Sequence, residues 1–284
     1  MKKSTVIWLI TAGCLIIAAF VIFISAMALH GWDIKKISTQ KTNIKTYPLT
    51  DSFEDISISG TTEDISFVPC EKEQSKVVIE NVSGVETVVS VENGKLAVSS
   101  KDTRKWYEFI GFFFGQTKIT VYIPEAAYGD LSINNGTGDI NIPDRFSFKN
   151  IALKTSTGGI DNAASTNGNI KISVSTGDVK IKNVSPLDFE LSSSTGDVYL
   201  EGVTASENMK IKTSTGDIRL VNCDAKSLEF KSSTGDISGV LLTEKVFSAR
   251  TSTGKVSLPD TKSGGKCKVT TSTGNIRFSV KGLQ

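Results

Sequence analysis

The chain has 284 residues, with 32 Lys and Arg against 30 Asp and Glu, a formal charge of +2 and 39% apolar residues. This balance excludes a polyelectrolyte tail and gives no global reason to expect a nucleic-acid partner. One histidine, His30, and four cysteines (Cys14, Cys70, Cys223, Cys267), no two closer than 44 positions, exclude CxxC-type metal or redox spacing.

Met1-Lys2-Lys3 precedes an uncharged run of 24 residues, Val6 to Leu29. As a helix it spans roughly 36 Å, against about 30 Å of bilayer hydrocarbon, and it exceeds the apolar core of a cleaved signal peptide. The expectation is an uncleaved transmembrane signal anchor over residues 1–30. Cleavage after Ala26-Met27-Ala28 and a lipoprotein site at Cys14 are the competing readings. Lys2 and Lys3 favour a cytoplasmic N-terminus, Lys35, Lys36, Lys41 and Lys45 pull the other way, and Trp32 fits an interfacial anchor. A three-residue flank before a large β-domain suggests a single-pass cell-membrane protein with an extracellular ectodomain.

Residues 31–46 are polar and Lys-rich, as in a juxtamembrane linker. Residues 47–130 are predicted to be a β-rich N-terminal region and cap. "FEDISISG" and "EDISFV" resemble an irregular early coil, and Asn93-Gly94 between alternating apolar residues is a hairpin signal. "WYEFIGFFFG" places Trp106, Phe109, Phe112, Phe113 and Phe114 between two predicted strands. It reads either as a hydrophobic plug over the end of the fold or as a loop contacting lipid or another membrane protein.

From residue 131 onward a Thr-Gly pair recurs, its glycines at 138, 158, 177, 196, 216, 235, 254 and 274, separated by 19 or 20 residues. A period near 20 indicates a solenoid. Seven, five and three residues before the glycine lie inward-type residues: Phe189, Leu191, Ser193; Met209, Ile211, Thr213; Leu228, Phe230, Ser232; Cys267, Val269, Thr271. Charged residues such as Glu190, Lys210, Glu229 and Lys268 alternate with them, so this is a strand with one buried face. Two and four residues after the glycine, Val198 and Leu200 or Ile218 and Leu220 begin a second strand. Position plus seven (Val184, Val203, Cys223, Leu242) is a third inward site. By parity the invariant Thr before the glycine points inward, in a hydroxyl ladder along the corner. The fold class predicted for 131–284 is therefore all-β, a single-stranded right-handed β-solenoid of about 19–20 residues per coil. Each coil is expected to lie on the one before it.

Three features taken together resemble a known family. They are "FEDISISG…EDISF", "NGKLAVSS…TKITVYIP" and the "STGDI/STGDV" array, and they cover roughly residues 47–284. The chain is similar to bacterial adhesin-type domains of unknown function, built as β-solenoids. The resemblance implies an N-terminal anchor, a place in the cell envelope near stress-response genes, and no assigned catalytic residue or cofactor.

The row Asp178, Asp197, Asp217, Asp236 puts one carboxylate on each coil, just after the glycine. As turn formers these need no ligand. A calcium site between coils and a retaining-glycosidase pair are the chemical alternatives. His30 sits at the membrane boundary, Cys223 and Cys267 fall on inward positions as small core residues, and Cys70 has no assigned place. Lys212, Lys231 and Arg250, at minus four in what read as consecutive coils, form an outward basic stripe. It is either solvated or suited to an anionic cell-wall polymer or lipid headgroups. Thr213/Thr215 and Thr271/Thr273 resemble ice-binding TxT pairs, but parity turns them inward. The function expected is that of a non-enzymatic, membrane-anchored surface protein that binds or serves the envelope stress response. The alternative is a β-helical enzyme acting on envelope polysaccharide.

Overall fold

The computed structural model describes residues 3–29, 31–32, 42–82, 84–103 and 117–282. The apolar segment forms one helix, α1 (Lys3–Leu29). Ser4–Leu29 within it is long and apolar enough to cross a membrane, by length and composition.

Among the described residues the remaining regular structure is β, apart from one short helical turn at Lys72–Gln74. Before the repeat come β1 (Thr42–Pro48), β2 (Asp55–Ser59), β3 (Asp64–Pro69), β4 (Lys76–Val82), β5 (Val85–Glu92), β6 (Lys95–Asp102) and β7 (Lys118–Ile123). The repeat supplies β8 (Ala127–Thr137), β9 (Ile140–Ile142), β10 (Ser147–Thr157), β11 (Ile160–Asn162), β12 (Ser165–Thr166), β13 (Ile170–Thr176), β14 (Val179–Lys182), β15 (Asp188–Thr195) and β16 (Val198–Glu201). It continues with β17 (Thr204–Thr215), β18 (Ile218–Lys231), β19 (Ile237–Leu241), β20 (Lys245–Thr253), β21 (Val256–Ser257), β22 (Gly265–Thr273) and β23 (Ile276–Val280). β1 begins inside the stretch expected as linker, because 42–48 pairs antiparallel with β4 along its whole length.

The strands stack in parallel register into the two long walls of a solenoid. One wall runs β6, β2, β8, β10, β13, β15, β17, β18, β22, β20. The other runs β7, β3, β9, β11, β14, β16, β18, β19, β23, β21, with β18 long enough to serve both. The inward rows are continuous: Leu191 lies beside Ile211 and Ile211 beside Phe230, each fully buried. Val198, Ile218 and Ile237 do the same on the second wall.

Coil-on-previous-coil order holds from Gly138 to Gly235 and fails at both ends. The first coil, β2–β3, lies between β6–β7 and β8–β9. The last coil, β22–β23, is inserted between β18–β19 and β20–β21. Side-chain volume accounts for the second exchange. At plus four the Gly235 coil carries Gly239, and a Cβ there would lie 2.8 Å from Phe278 Cε1 and 3.1 Å from Leu220 Cβ. The Phe278 ring fills that space and stacks on Phe230 with centroids 5.9 Å apart. The coil of β20–β21 is consequently the end rung, and its Val246 and Val256 are each 45% exposed. At the opposite end antiparallel strands cover the rungs, β4 on β7 and β5 on β6. The β5–β6 turn is the expected Asn93-Gly94 hairpin, with φ of 51° and 75°.

Two details of the corner differ from the parity reading. The Thr before each glycine is exposed in every coil, and the Ser or Thr before it is exposed in the seven coils that have one. The chain leaves strand phase two residues before the glycine, so the last inward side chain is at minus three. There Thr155, Thr213 and Thr271 are buried and donate to the carbonyls of Thr157, Thr215 and Thr273 at 3.2–3.4 Å. A register shift between Leu220 and Cys223 likewise gives Leu241, not Leu242, the inner place beside Cys223.

The corner glycines have φ from 122° to 148°. A Cβ on Gly216 would sit 2.1 Å from the Gly196 carbonyl oxygen. Glycine is therefore required twice, by its own backbone angle and by the approach of the neighbouring coil. Gly216→Ala is expected to cost about 3 kcal/mol, seen as a lower midpoint in denaturant melts.

Candidate functional site

The acidic row is a stacking device. Asp178 Oδ1 accepts the backbone N–H of Asp197 at 2.8 Å, Asp197 that of Asp217 at 2.8 Å, Asp217 that of Asp236 at 2.7 Å, and Asp236 that of Asn275 at 2.7 Å. Asn275 Oδ1 takes the N–H of Lys255 at 3.0 Å, where the ladder ends. The expected turn-former role is thus corrected: each carboxylate bonds the next coil. The ladder also extends upstream to residues the repeat did not bring forward, since Asp64 accepts from Asp139 and Asp139 from Gly159. It breaks at Gly159, which has no side chain to offer Asp178. A second ladder runs along another corner: Asp55 accepts from Asp130, Asp130 from the Asn150 amide, and Asn150 from Asn169.

These bonds set the electrostatics. The backbone N–H of Asn275, then its side-chain amide, hold the Asp236 carboxyl below the usual carboxylate range, with Arg277 adding to the effect. A glycosidase acid needs the opposite shift. Among the described residues no three His, Cys, Asp or Glu side chains gather as a metal centre requires.

On the outer face of the first wall the row at minus six alternates in sign, Lys171, Glu190, Lys210, Glu229, Lys268 in register, with Lys171 3.9 Å from Glu190. The row at minus four contains the basic stripe, all exposed. Lys212 lies beside Lys231, but Thr270 of the inserted coil separates Lys231 from Arg250, so the stripe is not contiguous. Sequence order placed Arg250 one rung too close. The second wall carries a feature that sequence reading missed, a shallow groove of about 660 Å³ with Arg219 and Arg277 on either side of Ser238. Its signal, Arg at plus three in two copies, is invisible until the coil order is known.

Cys223 and Cys267 are buried free thiols, and burial pushes the Cys267 thiol up to about 12. Cys70 is half-buried, and desolvation raises its thiol too. Thr213 and Thr271 point in while Thr215 and Thr273 point out, so the TxT pairs form no single flat face. His30 and the aromatic positions Trp106, Phe109, Phe112, Phe113 and Phe114 lie outside the described residues.

A solenoid whose acidic corner rows are consumed in stacking, with exposed basic side chains on both outer walls, defines a repeat scaffold with display faces. Residues 53–284 match the Toastrack DUF4097 family, and the chain belongs to it. No protein of curated function matches the chain. Among solved structures, the "putative adhesin" of Bacteroides fragilis NCTC 9343 is 21% identical, with 84% of this chain and 97% of that chain covered and a TM-score of 0.50. At that identity the likeness is one of fold. A "putative adhesin" from Parabacteroides merdae is 14% identical over 85% of this chain and 98% of that one, with a TM-score of 0.43. A "putative lipid binding protein" from Parabacteroides distasonis is 13% identical over the same shares, with a TM-score of 0.29.

Asp217→Ala leaves the Asp236 N–H without its acceptor and is expected to cost about 1 kcal/mol, read from chemical melts. Gly159→Asn supplies the missing rung and is expected to stabilise by about 0.5 kcal/mol. Because the folded Asp236 pKa is depressed, its bond contributes above the unfolded carboxylate pKa and is lost as pH falls through the folded value. Asp236→Ala should therefore flatten the acid limb of the stability profile. Native protein at pH 8 should leave Cys223 and Cys267 unlabelled by a thiol reagent, and denaturant should expose both.

Proposed function

We infer that the protein is a non-enzymatic, single-pass, membrane-anchored rod at the cell surface. Its ectodomain is extracellular, and its outer rows bind an anionic cell-wall polymer. The observation that carries this reading is the division of labour among polar residues. The Asp and Asn corners are committed to stacking, while Lys212, Lys231 and Arg250 are exposed on one wall and Arg219 and Arg277 flank a groove on the other. Lys212 and Lys231 on adjacent rungs about 4.8 Å apart, with Arg250 two rungs further on, suit a polyanion of repeating charge. The apolar α1 helix supports the anchored arrangement. The Bacteroides structure called an adhesin supports a binding scaffold through its fold alone. An accessory part in the envelope stress response would follow from this anchorage. A membrane-protein partner would engage the stretch containing Trp106, Phe109, Phe112, Phe113 and Phe114. No observation favours the polysaccharide-cleaving alternative.

The test is co-sedimentation of the full chain in detergent with purified cell walls carrying anionic polymer. The triple variant Lys212→Ala, Lys231→Ala, Arg250→Ala is compared at two salt concentrations. At about 0.5 kcal/mol per exposed charge the variant binds about tenfold more weakly, with a shallower salt dependence. Equal sedimentation of both proteins, or none by wild type at low salt, overturns the reading.

A further inference from the structure

The corner of the first coil departs from the repeat. Ser59 pairs with Asn134 and Ile65 with Ile140, so Gly60 stands level with Asn135 and Glu63 level with the corner glycine Gly138. In the later coils a glycine makes the corner and a side chain occupies the minus-three place inside it. Here the two are exchanged. Gly60 leaves the minus-three place without a side chain, and Glu63 folds back beneath its own corner, 0% exposed. Its Oε2 accepts the backbone N–H groups of Thr61 at 2.7 Å and Thr62 at 2.9 Å, with the Thr61 hydroxyl at 3.3 Å. Its Oε1 is buried with no hydrogen-bond partner.

Asn135, 2% exposed, faces this carboxylate. Its Nδ2 donates to the carbonyls of Glu63 at 2.8 Å, Thr137 at 3.0 Å and Gly138 at 3.4 Å. Three carbonyl acceptors fix which end of the amide is nitrogen, so Oδ1 is the end turned the other way, and it too is buried without a donor. Both side chains border one space: a Cβ on Gly60 would sit 2.4 Å from Asn135 Oδ1 and 3.3 Å from Glu63 Oε2. The nearby Thr117 hydroxyl is committed to the Thr62 carbonyl at 2.6 Å. Among the described residues no Lys or Arg nitrogen lies within 4.0 Å of the Glu63 carboxylate.

The space is therefore bordered by acceptors and carries one negative charge. A buried carboxylate without a positive partner is far more costly than an unpaired neutral acceptor. A bridging water supplies two donors but no charge. A metal ion supplies a partner for both oxygens and the missing charge together. Oxygen ligands select a hard cation, and one carboxylate is balanced by one positive charge, whereas calcium sites gather several carboxylates.

We propose that the Glu63–Asn135 corner binds a hard monovalent metal cation, sodium or potassium, through Glu63 Oε1 and Asn135 Oδ1, with water completing its shell. The site needs no cluster of acids and is separate from the Asp ladder, where each Oδ1 already holds an N–H of the neighbouring coil. It joins the first coil to the β8–β9 coil at the one corner where a glutamate stands in the place of the docking glycine. Gly60 keeps the space open, because a methyl group there would crowd both ligands.

The experiment is a set of thermal melts of the full chain in detergent, in the chlorides of sodium, potassium, calcium and N-methylglucamine at one ionic strength, followed by a sodium titration. Wild type should melt higher in sodium or potassium than in the organic salt, with a midpoint that climbs about 3 °C for each tenfold rise in cation above its dissociation constant. Glu63→Gln keeps the side-chain shape and turns an amide donor toward Asn135 Oδ1, so it should fold and lose the difference. Gly60→Ala retains the charge but fills the space, and should lose it as well. Equal wild-type midpoints in all the salts, as for a corner that holds only water, overturn the proposal. So does a rise that persists undiminished in both variants, or one given by calcium alone. Should Glu63→Gln fail to fold, the wild-type series and Gly60→Ala decide.

Discussion

The fold depends on how closely one corner approaches the next. Each repeat bends where a glycine at φ near 135° faces a backbone carbonyl oxygen of the neighbouring coil, that of Glu63 for Gly138 and that of another corner glycine for the rest, with no room for a methyl group between them. That proximity fixes the rung spacing on both walls at once. It brings each Asp or Asn side chain within reach of the neighbouring coil's N–H and sets the aliphatic rows one above another. The inward rows supply most of the stabilisation by burial, but they would tolerate sliding. The corner, with a carbonyl opposite every repeat glycine and a side-chain oxygen holding the next coil's N–H at every step but the one at Gly159, does not.

The corner also explains why acidic residues recur without a ligand. A row of carboxylates along a rod invites a calcium or glycosidase reading beside that of turn former, and spacing alone does not discriminate among the three. Once each Oδ1 is seen to hold a backbone N–H of the next coil, the row becomes part of the scaffold. The exposed cations on the outer walls take no part in that ladder. The alternating Lys and Glu row beside the basic stripe is balanced in register, which makes the minus-four row and the Arg219/Arg277 groove the distinctive parts of the surface.

Much of this was legible in the sequence. The 19–20-residue period, the two inward rows, the Asn93-Gly94 hairpin and the buried cysteines follow from parity and turn chemistry, which are local. Three features were not legible, each for a physical reason. The outward Thr before the glycine was missed because strand parity was carried through the last two residues of the strand, where the in-and-out alternation has already broken. The exchanged order at the ends was missed because pairing between distant coils is not encoded by adjacency. Its trace lies in complementary volumes, Gly239 against Phe278. A further trace was present in the copies themselves: Gly159 apart, Lys255 alone among the residues after the repeat glycines has no acceptor side chain, and it lies on the end rung. The Asp224–Lys245 ion pair across the inserted coil was missed for the same reason, since it exists only once the last coil has been inserted.

Amide hydrogen exchange at the corner tests the stacking most directly. Asp197, Asp217 and Asp236 are at least partly exposed, so their amides would exchange rapidly if the corners were ordinary surface turns. Bonded to the coil below, they should exchange as slowly as the amides of Ile211 and Leu220 inside the walls. Exchange at free-peptide rates in folded protein would show that the coils are not joined through their glycine corners.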